Sequence, residues 1–270
     1  MPMTTPVHPA AEPESPAVRL AHAVGDHLVL AGRSLRHVTR DVESLLLAVA
    51  LPVLMMLLFR YVFGGAISVP GRYVDYVVPG IILLCAGYGA SLTAPGVAHD
   101  MAQGVIDRFR SLPIAPSAVL VGHVGASLAR NLLSTAIVVG VGLLTGFRPA
   151  ADAAGWLAAF GLLVLFILAM SWAAVALGLL ARGVAGASGF TFVILFLPYL
   201  SSAFVPTGTM PAVLRVIAEH QPLTPITETL RALLLGASPG GDAPLAVAWC
   251  AALLLAGYGA AAYLFSRRSR

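Results

Sequence analysis

The stretch GWLAAFGLLVLFILAMSWAAVALGLLA, Gly155 to Ala181, carries no charged residue and no polar face. A helix that is apolar all round has no side to turn toward water, and about 20 such residues at 1.5 Å each span the roughly 30 Å hydrocarbon core of a bilayer. Working outward, apolar segments of comparable length lie at approximately 45–63, 76–97 and 119–146 before it, and at 188–206 and 243–265 after it. Six such runs predict an all-α integral membrane protein with six transmembrane helices. The region 210–235 is also apolar, but Pro211, Glu219, Pro222, Pro225, Glu228 and Arg231 argue against a straight span there. It predicts two short helices, about 211–219 and 225–235, with Thr224 capping the second, Pro225 in its first turn and Gly236 just past its end. Too short to cross, they form a re-entrant pair that dips into the outer leaflet or lies on it.

Composition agrees with this reading. Of 270 residues, 59% are apolar and only 10% charged, against about 25% charged in soluble domains, and the mean hydropathy is +0.89. A water-soluble enzyme or DNA-binding domain is therefore excluded. The net charge of +4 fits Arg gathered on cytoplasmic loops better than contact with nucleic acid. All 16 basic residues are Arg, so the chain lacks the Lys that a phosphate-binding P-loop requires. Cys85 and Cys250 both lie inside apolar runs, where buried inert thiols are expected.

The chain divides accordingly. Residues 1–16 read as a disordered tail rich in Pro, Ala and Ser, with no basic segment leading into an apolar core, so no cleaved signal peptide is expected. Residues 17–44 read as an amphipathic connecting helix: Val24, Leu28, Ala31, Leu35, Val38 and Val42 share one face, and Arg33, Arg36 and Arg40 another. Residues 45–265 form the six-span domain, with a cytoplasmic loop at 98–118 and the extracytoplasmic re-entrant region at 207–242; residues 266–270 are a cytoplasmic tail. A cytoplasmic N-terminus places Arg19, Arg33, Arg36, Arg40, Arg108, Arg110, Arg182, Arg267, Arg268 and Arg270 inside, against Arg60, Arg72, Arg148, Arg215 and Arg231 outside. That asymmetry follows the positive-inside rule, and an even number of spans puts both termini in the cytoplasm of a multi-pass plasma-membrane protein.

All twelve acidic residues fall in loops, tails or span ends. Ion-coupled carriers generally hold a carboxylate or a broken helix near the bilayer midplane, and none is evident. No metal-binding, nucleophile-elbow or paired-carboxylate pattern occurs, so no catalytic residue and no metal ligand is expected. Uphill transport would then draw its energy from another subunit. The loop 98–118 offers Ile106, Phe109 and Leu112 ringed by Asp107, Arg108 and Arg110, an apolar anchor within charge that suits a docking surface on a partner, although an ordinary positive-inside loop has the same composition.

The run Gly104-Val105-Ile106-Asp107-Arg108-Phe109-Arg110-Ser111-Leu112-Pro113-Ile114 resembles the loop motif of permease subunits in the type-2 ABC exporter family, in particular the daunorubicin-resistance-like drug exporters. Leu58-Phe59-Arg60-Tyr61-Val62-Phe63-Gly64-Gly65, Pro206-Thr207-Gly208-Thr209-Met210-Pro211, and Gln221-Pro222-Leu223-Thr224-Pro225 leading to Leu230-Arg231-Ala232-Leu233-Leu234-Leu235-Gly236 agree with it in order and spacing. The resemblance implies an interfacial connecting helix, six spans, a coupling helix between spans 2 and 3 and a re-entrant pair between spans 5 and 6. It also implies a second permease chain, the same or a paralogue, and two copies of an ABC ATPase that carries the ATP and Mg, with no cofactor in this chain. Asp100, Gly104, Ile106, Asp107, Arg108, Phe109, Arg110, Leu112 and Pro113 would then serve ATPase coupling.

The expected cargo is a hydrophobic or amphipathic drug, secondary metabolite or lipid. Export of polysaccharide or a lipid-linked glycan, and a non-transport scaffold or sensor subunit, are the alternatives. Arg130, about a dozen residues into the third span, either faces a hydrated translocation path or has a structural role, which we favour. Glu219, His220 and Glu228 are candidates for an exit gate, with solvated loop charges as the default. Gly122, Gly125, Ala126 and Ala129 offer a small-residue face for close helix packing.

Overall fold

A computed structural model describes residues 42–67, 69, 71–104 and 118–268. The segments read from the sequence as a disordered tail (1–16) and a connecting helix (17–44, all but its end), and most of the 98–118 loop, lie outside the described residues. Nine α-helices account for most of the rest: α1 Val42–Leu57, running on through a π-helical turn at Leu58–Phe63; α2 Tyr73–Ser91; α3 Thr93–Ala102; α4 Ala118–Leu144; α5 Ala153–Leu180; α6 Val184–Phe196; α7 Ala212–His220; α8 Leu223–Leu234; and α9 Asp242–Arg268. No strand occurs among the described residues. Four helical stretches are long and apolar enough to cross a membrane, Tyr73–Ala102, Val119–Leu144, Ala153–Leu180 and Asp242–Arg267, and two shorter apolar ones are Ala48–Phe63 and Val184–Leu200. Five of the six apolar runs are thus helical over nearly all of their length, and 188–206 is helical as far as Leu200.

The central helix is α2, which buries every residue except Asp75, Tyr76 and Tyr88. Leu92 alone separates it from α3, and its helical backbone makes the two one rod. Around the rod pack α1, α4, α5, α6 and α8, and α9 lies along α5. Close approach requires small residues where the backbones meet. A Cβ on Gly257 of α9 would stand 2.7 Å from the Ala173 nitrogen of α5, a contact that no larger residue could make. Gly122 and Gly125, by contrast, have open space where a Cβ would go, so no helix among the described residues packs against them.

Proline interrupts two buried helices, and in α1 the neighbouring helix responds. Pro52 cannot donate to the carbonyl of Ala48, four residues earlier, and the Cys85 thiol on α2 points to that oxygen at 3.9 Å as a weak donor. Cys85 and Cys250 are both buried and free. The outside of the bundle is apolar: Leu144, Leu157, Phe160, Phe192, Leu255 and Tyr258 are each more than half exposed. In water such a surface would aggregate, and in lipid it is the expected solvent-facing side.

Two departures from the sequence reading concern the fifth apolar run and the re-entrant pair. The run 188–206 is not one helix. After α6 it tightens into a 3₁₀ turn at Leu197–Leu200, whose Pro198 cannot continue the α-helical ladder, and residues 201–204 follow as buried turns. Thr224 does not cap the second short helix. That helix begins two residues earlier than expected, at Leu223, and the Thr224 hydroxyl donates to the Ala218 carbonyl of α7 at 2.5 Å. Gly236 does end α8 as expected: at φ +70° it supports bonds from its own N–H to the Leu233 carbonyl and from Ala237 N–H to Ala232, which close the helix.

Candidate functional site

One end of the bundle carries the stems of the 98–118 loop. Asp100 projects from the last turns of α3 and His123 from the second turn of α4; their Oδ2 and Nε2 atoms lie 3.0 Å apart. Each is roughly a quarter to a third exposed, so the pair ties the two stems at a half-wet site. Gly104, at φ +65°, lets the chain leave α3 in a left-handed turn. Of the other residues assigned to coupling, Ile106, Asp107, Arg108, Phe109, Arg110, Leu112 and Pro113 lie outside the described residues.

Along α4 inward from His123 runs a polar stripe of Ser127, Asn131, Ser134 and Thr135, spaced three to four apart or adjacent and all buried. Ser127 and Ser171 of α5 bridge their hydroxyls at 2.8 Å, and the Asn131 amide donates to the Ser127 carbonyl, also at 2.8 Å. In an apolar surround such bonds tie helices together. Arg130 borders this stripe, half-buried and engaged by its surroundings.

At the opposite end the three candidate gate residues separate. Glu219 and His220 are exposed at the C-terminal end of α7, where His220 Nδ1 lies 2.8 Å from the Val216 carbonyl of its own helix. Glu228 instead reaches Arg231, one turn on in α8, at 2.5 Å. Arg231, which the sequence places in the second short helix and gives no role of its own, is the centre of this end. It is only 7% exposed, and burying a guanidinium costs several kcal/mol unless its donors are used. They are: Nε donates to the Tyr76 carbonyl at 3.0 Å, Nη2 to the Ser202 carbonyl at 2.9 Å, and the guanidinium carbon lies 3.8 Å from the centre of the Tyr76 ring. The Tyr76 hydroxyl donates to the same Ser202 carbonyl at 2.8 Å, and the Tyr73 hydroxyl to the Phe204 carbonyl at 3.0 Å. A signal for this cluster was present in the sequence. Glu228 and Arg231 are one helical turn apart in an otherwise uncharged helix, and Tyr73 and Tyr76 are likewise one turn apart.

The geometry also gives two of the quoted motifs a physical role. Gln221 and Thr224 of Gln221-Pro222-Leu223-Thr224-Pro225 both serve the broken end of α6: the Gln221 amide donates to the Leu200 carbonyl, and the Ser202 N–H donates to the Thr224 hydroxyl at 3.3 Å. In Pro206-Thr207-Gly208-Thr209-Met210-Pro211, the Gly208 and Met210 carbonyls accept from Arg215 of α7 at 2.8 and 3.2 Å.

Residues 27–235 match the ABC-2 type transporter family. The chain belongs to that family. Among curated proteins, this ABC-2 permease is 30% identical over 208 residues, 76% of its length and 74% of the other's, to the daunorubicin resistance ABC transporter permease protein DrrB1 of Streptomyces coeruleorubidus. It is 24% identical over 217 residues, covering 79% and 78% of the two chains, to the probable doxorubicin resistance ABC transporter permease protein DrrC of Mycobacterium tuberculosis. Members of the family are the membrane components of ABC transporters rather than enzymes, and they work with an ABC ATPase. This ABC-2 permease is therefore a multi-pass membrane subunit of an ATP-driven exporter, and the resemblance read from its loop motif holds.

Proposed function

We propose that this permease exports a hydrophobic or amphipathic compound, paired with a second permease chain and with two copies of its ABC ATPase, and with both termini in the cytoplasm. The observation that carries the cargo class is the similarity to proteins named for resistance to daunorubicin and doxorubicin, planar aromatic compounds with a charged amine. Those names favour a drug-like cargo over a glycan. Six crossings follow from the six apolar helical runs, with α1 and its π turn as the first and α6 with its broken end as the fifth. The α2–α3 rod runs from the 98–118 loop to the Arg231 cluster, so a displacement of the loop by the ATPase reaches the opposite end of the bundle through one buried helix. Asp100, Gly104, Ile106, Asp107, Arg108, Phe109, Arg110, Leu112 and Pro113 would receive that displacement, and the Asp100–His123 pair would pass it to α3 and α4 together.

Inverted vesicles containing the permease and its ABC ATPase test this reading. ATP should drive daunorubicin into the vesicle lumen, and omission of either chain should abolish uptake. Uptake of a fluorescent lipid-linked glycan in place of daunorubicin would favour the glycan reading.

A further inference from the structure

Residues 201–204 are buried turns, each side chain no more than 3% exposed. Backbone in such a position must have its N–H and C=O groups satisfied, and here side chains from three other elements do so. The Ser202 carbonyl accepts from Tyr76 of α2 and Arg231 of α8, the Phe204 carbonyl from Tyr73 of α2, and the Leu200 carbonyl from Gln221. The Ser202 N–H donates to Thr224 of α8, and the Ala203 N–H to the Ser201 hydroxyl at 3.1 Å. Gly80 of α2 makes the fit possible, because a Cβ there would collide with the Ala203 carbonyl and stand 2.8 Å from the Ala203 Cβ.

The same backbone groups have a second way to be satisfied. Residues 199–205, Tyr-Leu-Ser-Ser-Ala-Phe-Val, contain neither Gly nor Pro, so beyond a kink at Pro198, whose missing N–H leaves one rung open, each N–H could bond the carbonyl four residues earlier in a helix that extends α6. One segment thus has two arrangements that engage its backbone groups, broken and held by side chains, or continued as a kinked helix. Two discrete packings of one element are what a conformational switch requires. Arg231 weights the balance most, because it alone brings charge-assisted bonds and joins α2, α8 and the break at one point.

We propose that residues 201–205 switch between broken and helical forms during transport, and that Arg231 is the positioning residue that holds the broken form in the resting state. Release lengthens α6 at the outer end and frees α8 from α2, which opens the exit side. The inference rests on the exporter reading for the part ATP plays, but the hold of Arg231 on the break is a property of this chain alone.

Ser202 is the reporter. It is 2% exposed, its hydroxyl has no hydrogen-bond partner among the described residues, and Ser202→Cys is nearly isosteric. In a Cys85→Ala, Cys250→Ala background, the rate of reaction with an impermeant maleimide measures opening of the break. The permease alone in nanodiscs should react slowly. Arg231→Gln should raise that rate by about tenfold or more, and Arg231→Lys by less, since an ammonium keeps the charge near Glu228 but cannot reach both carbonyls in a fork. Should Arg231→Gln fail to give monodisperse protein, Tyr76→Phe removes only one bond to the Ser202 carbonyl and should still speed labelling. With the ABC ATPase bound and trapped by ATP and vanadate, the parent should label several-fold faster than at rest, and Arg231→Gln should lose that dependence on nucleotide. The proposal is overturned by equal rates in the parent, Tyr76→Phe and folded Arg231 variants, or by parent labelling that trapping leaves unchanged. An ATPase that fails to bind the parent would instead count against the exporter reading, and the labelling of the permease alone would still decide whether Arg231 holds the break.

Discussion

Asp100 and His123 face each other at 3.0 Å across the base of a loop that separates them by 23 residues. The contact closes the two stems of the segment that the family resemblance assigns to ATPase coupling. Because each side chain is partly exposed, the interaction is expected to contribute about 1 kcal/mol or less to stability. A small thermodynamic value is compatible with a large mechanical one, the role proposed above in which the pair passes a displacement to α3 and α4 together.

Asp100→Asn and His123→Ala should therefore leave the melting temperature within a few degrees of the parent while lowering daunorubicin uptake per ATP hydrolysed. Asp100→His with His123→Asp should restore part of that ratio. Single variants that transport with the parent's stoichiometry would show that the stems need no tie.

Glycines at helix crossings should be intolerant of a methyl group, and glycines in open positions should not be. Gly80→Ala and Gly257→Ala each introduce a Cβ within 2.8 Å of a neighbouring backbone or side chain, and overpacking of this kind costs about 1–3 kcal/mol. Gly140→Ala on α4 meets nothing within 4 Å and gains up to about 1 kcal/mol of helix propensity. Thermal unfolding in detergent should separate the three in that order, and a Gly257→Ala protein as stable as Gly140→Ala would contradict the packing of α9 on α5.

Orientation is open to direct measurement. With Cys85 and Cys250 replaced, Ser68→Cys and Ser238→Cys should react with an impermeant thiol reagent added to intact cells, and Ser269→Cys only after permeabilisation. Labelling of Ser269→Cys without Ser238→Cys would invert the topology.

Replacing the two apolar anchors of the loop, Ile106→Ser with Phe109→Ser, should leave the permease inserted and dimeric in native mass spectra, yet weaken pull-down of the ATPase by about tenfold or more, as expected when central apolar contacts of an interface are lost. Normal docking by the double variant would remove the loop from the interface.

The architecture was readable from the chain because lipid imposes a simple condition on it. Every backbone polar group must be paired within the segment, so a run such as Gly155–Ala181 has one solution, a helix, and its length states that it can cross. The end of α8 was legible for the same local reason, since Gly236 is needed at positive φ whatever surrounds it.

Tertiary structure decided what charge and hydrogen bonding do across segments distant in sequence. Arg231 reads as one charge in a short helix outside the spans until α2 and residues 201–204 are placed beside it, 155 residues and 29 residues away. Thr224 reads as a helix cap because a hydroxyl before a helix usually serves that helix, yet its partners are Ala218 and Ser202. The apolar run 188–206 reads as one helix because hydropathy does not record whether a carbonyl is paired along the chain or by a side chain from elsewhere. Local pattern thus determined that the described chain is helical and where its four longest apolar helices lie. Only packing, which brings Tyr73, Tyr76, Gln221 and Arg231 to one broken stretch of backbone, determined where the fifth apolar run stops being a helix and what holds it there.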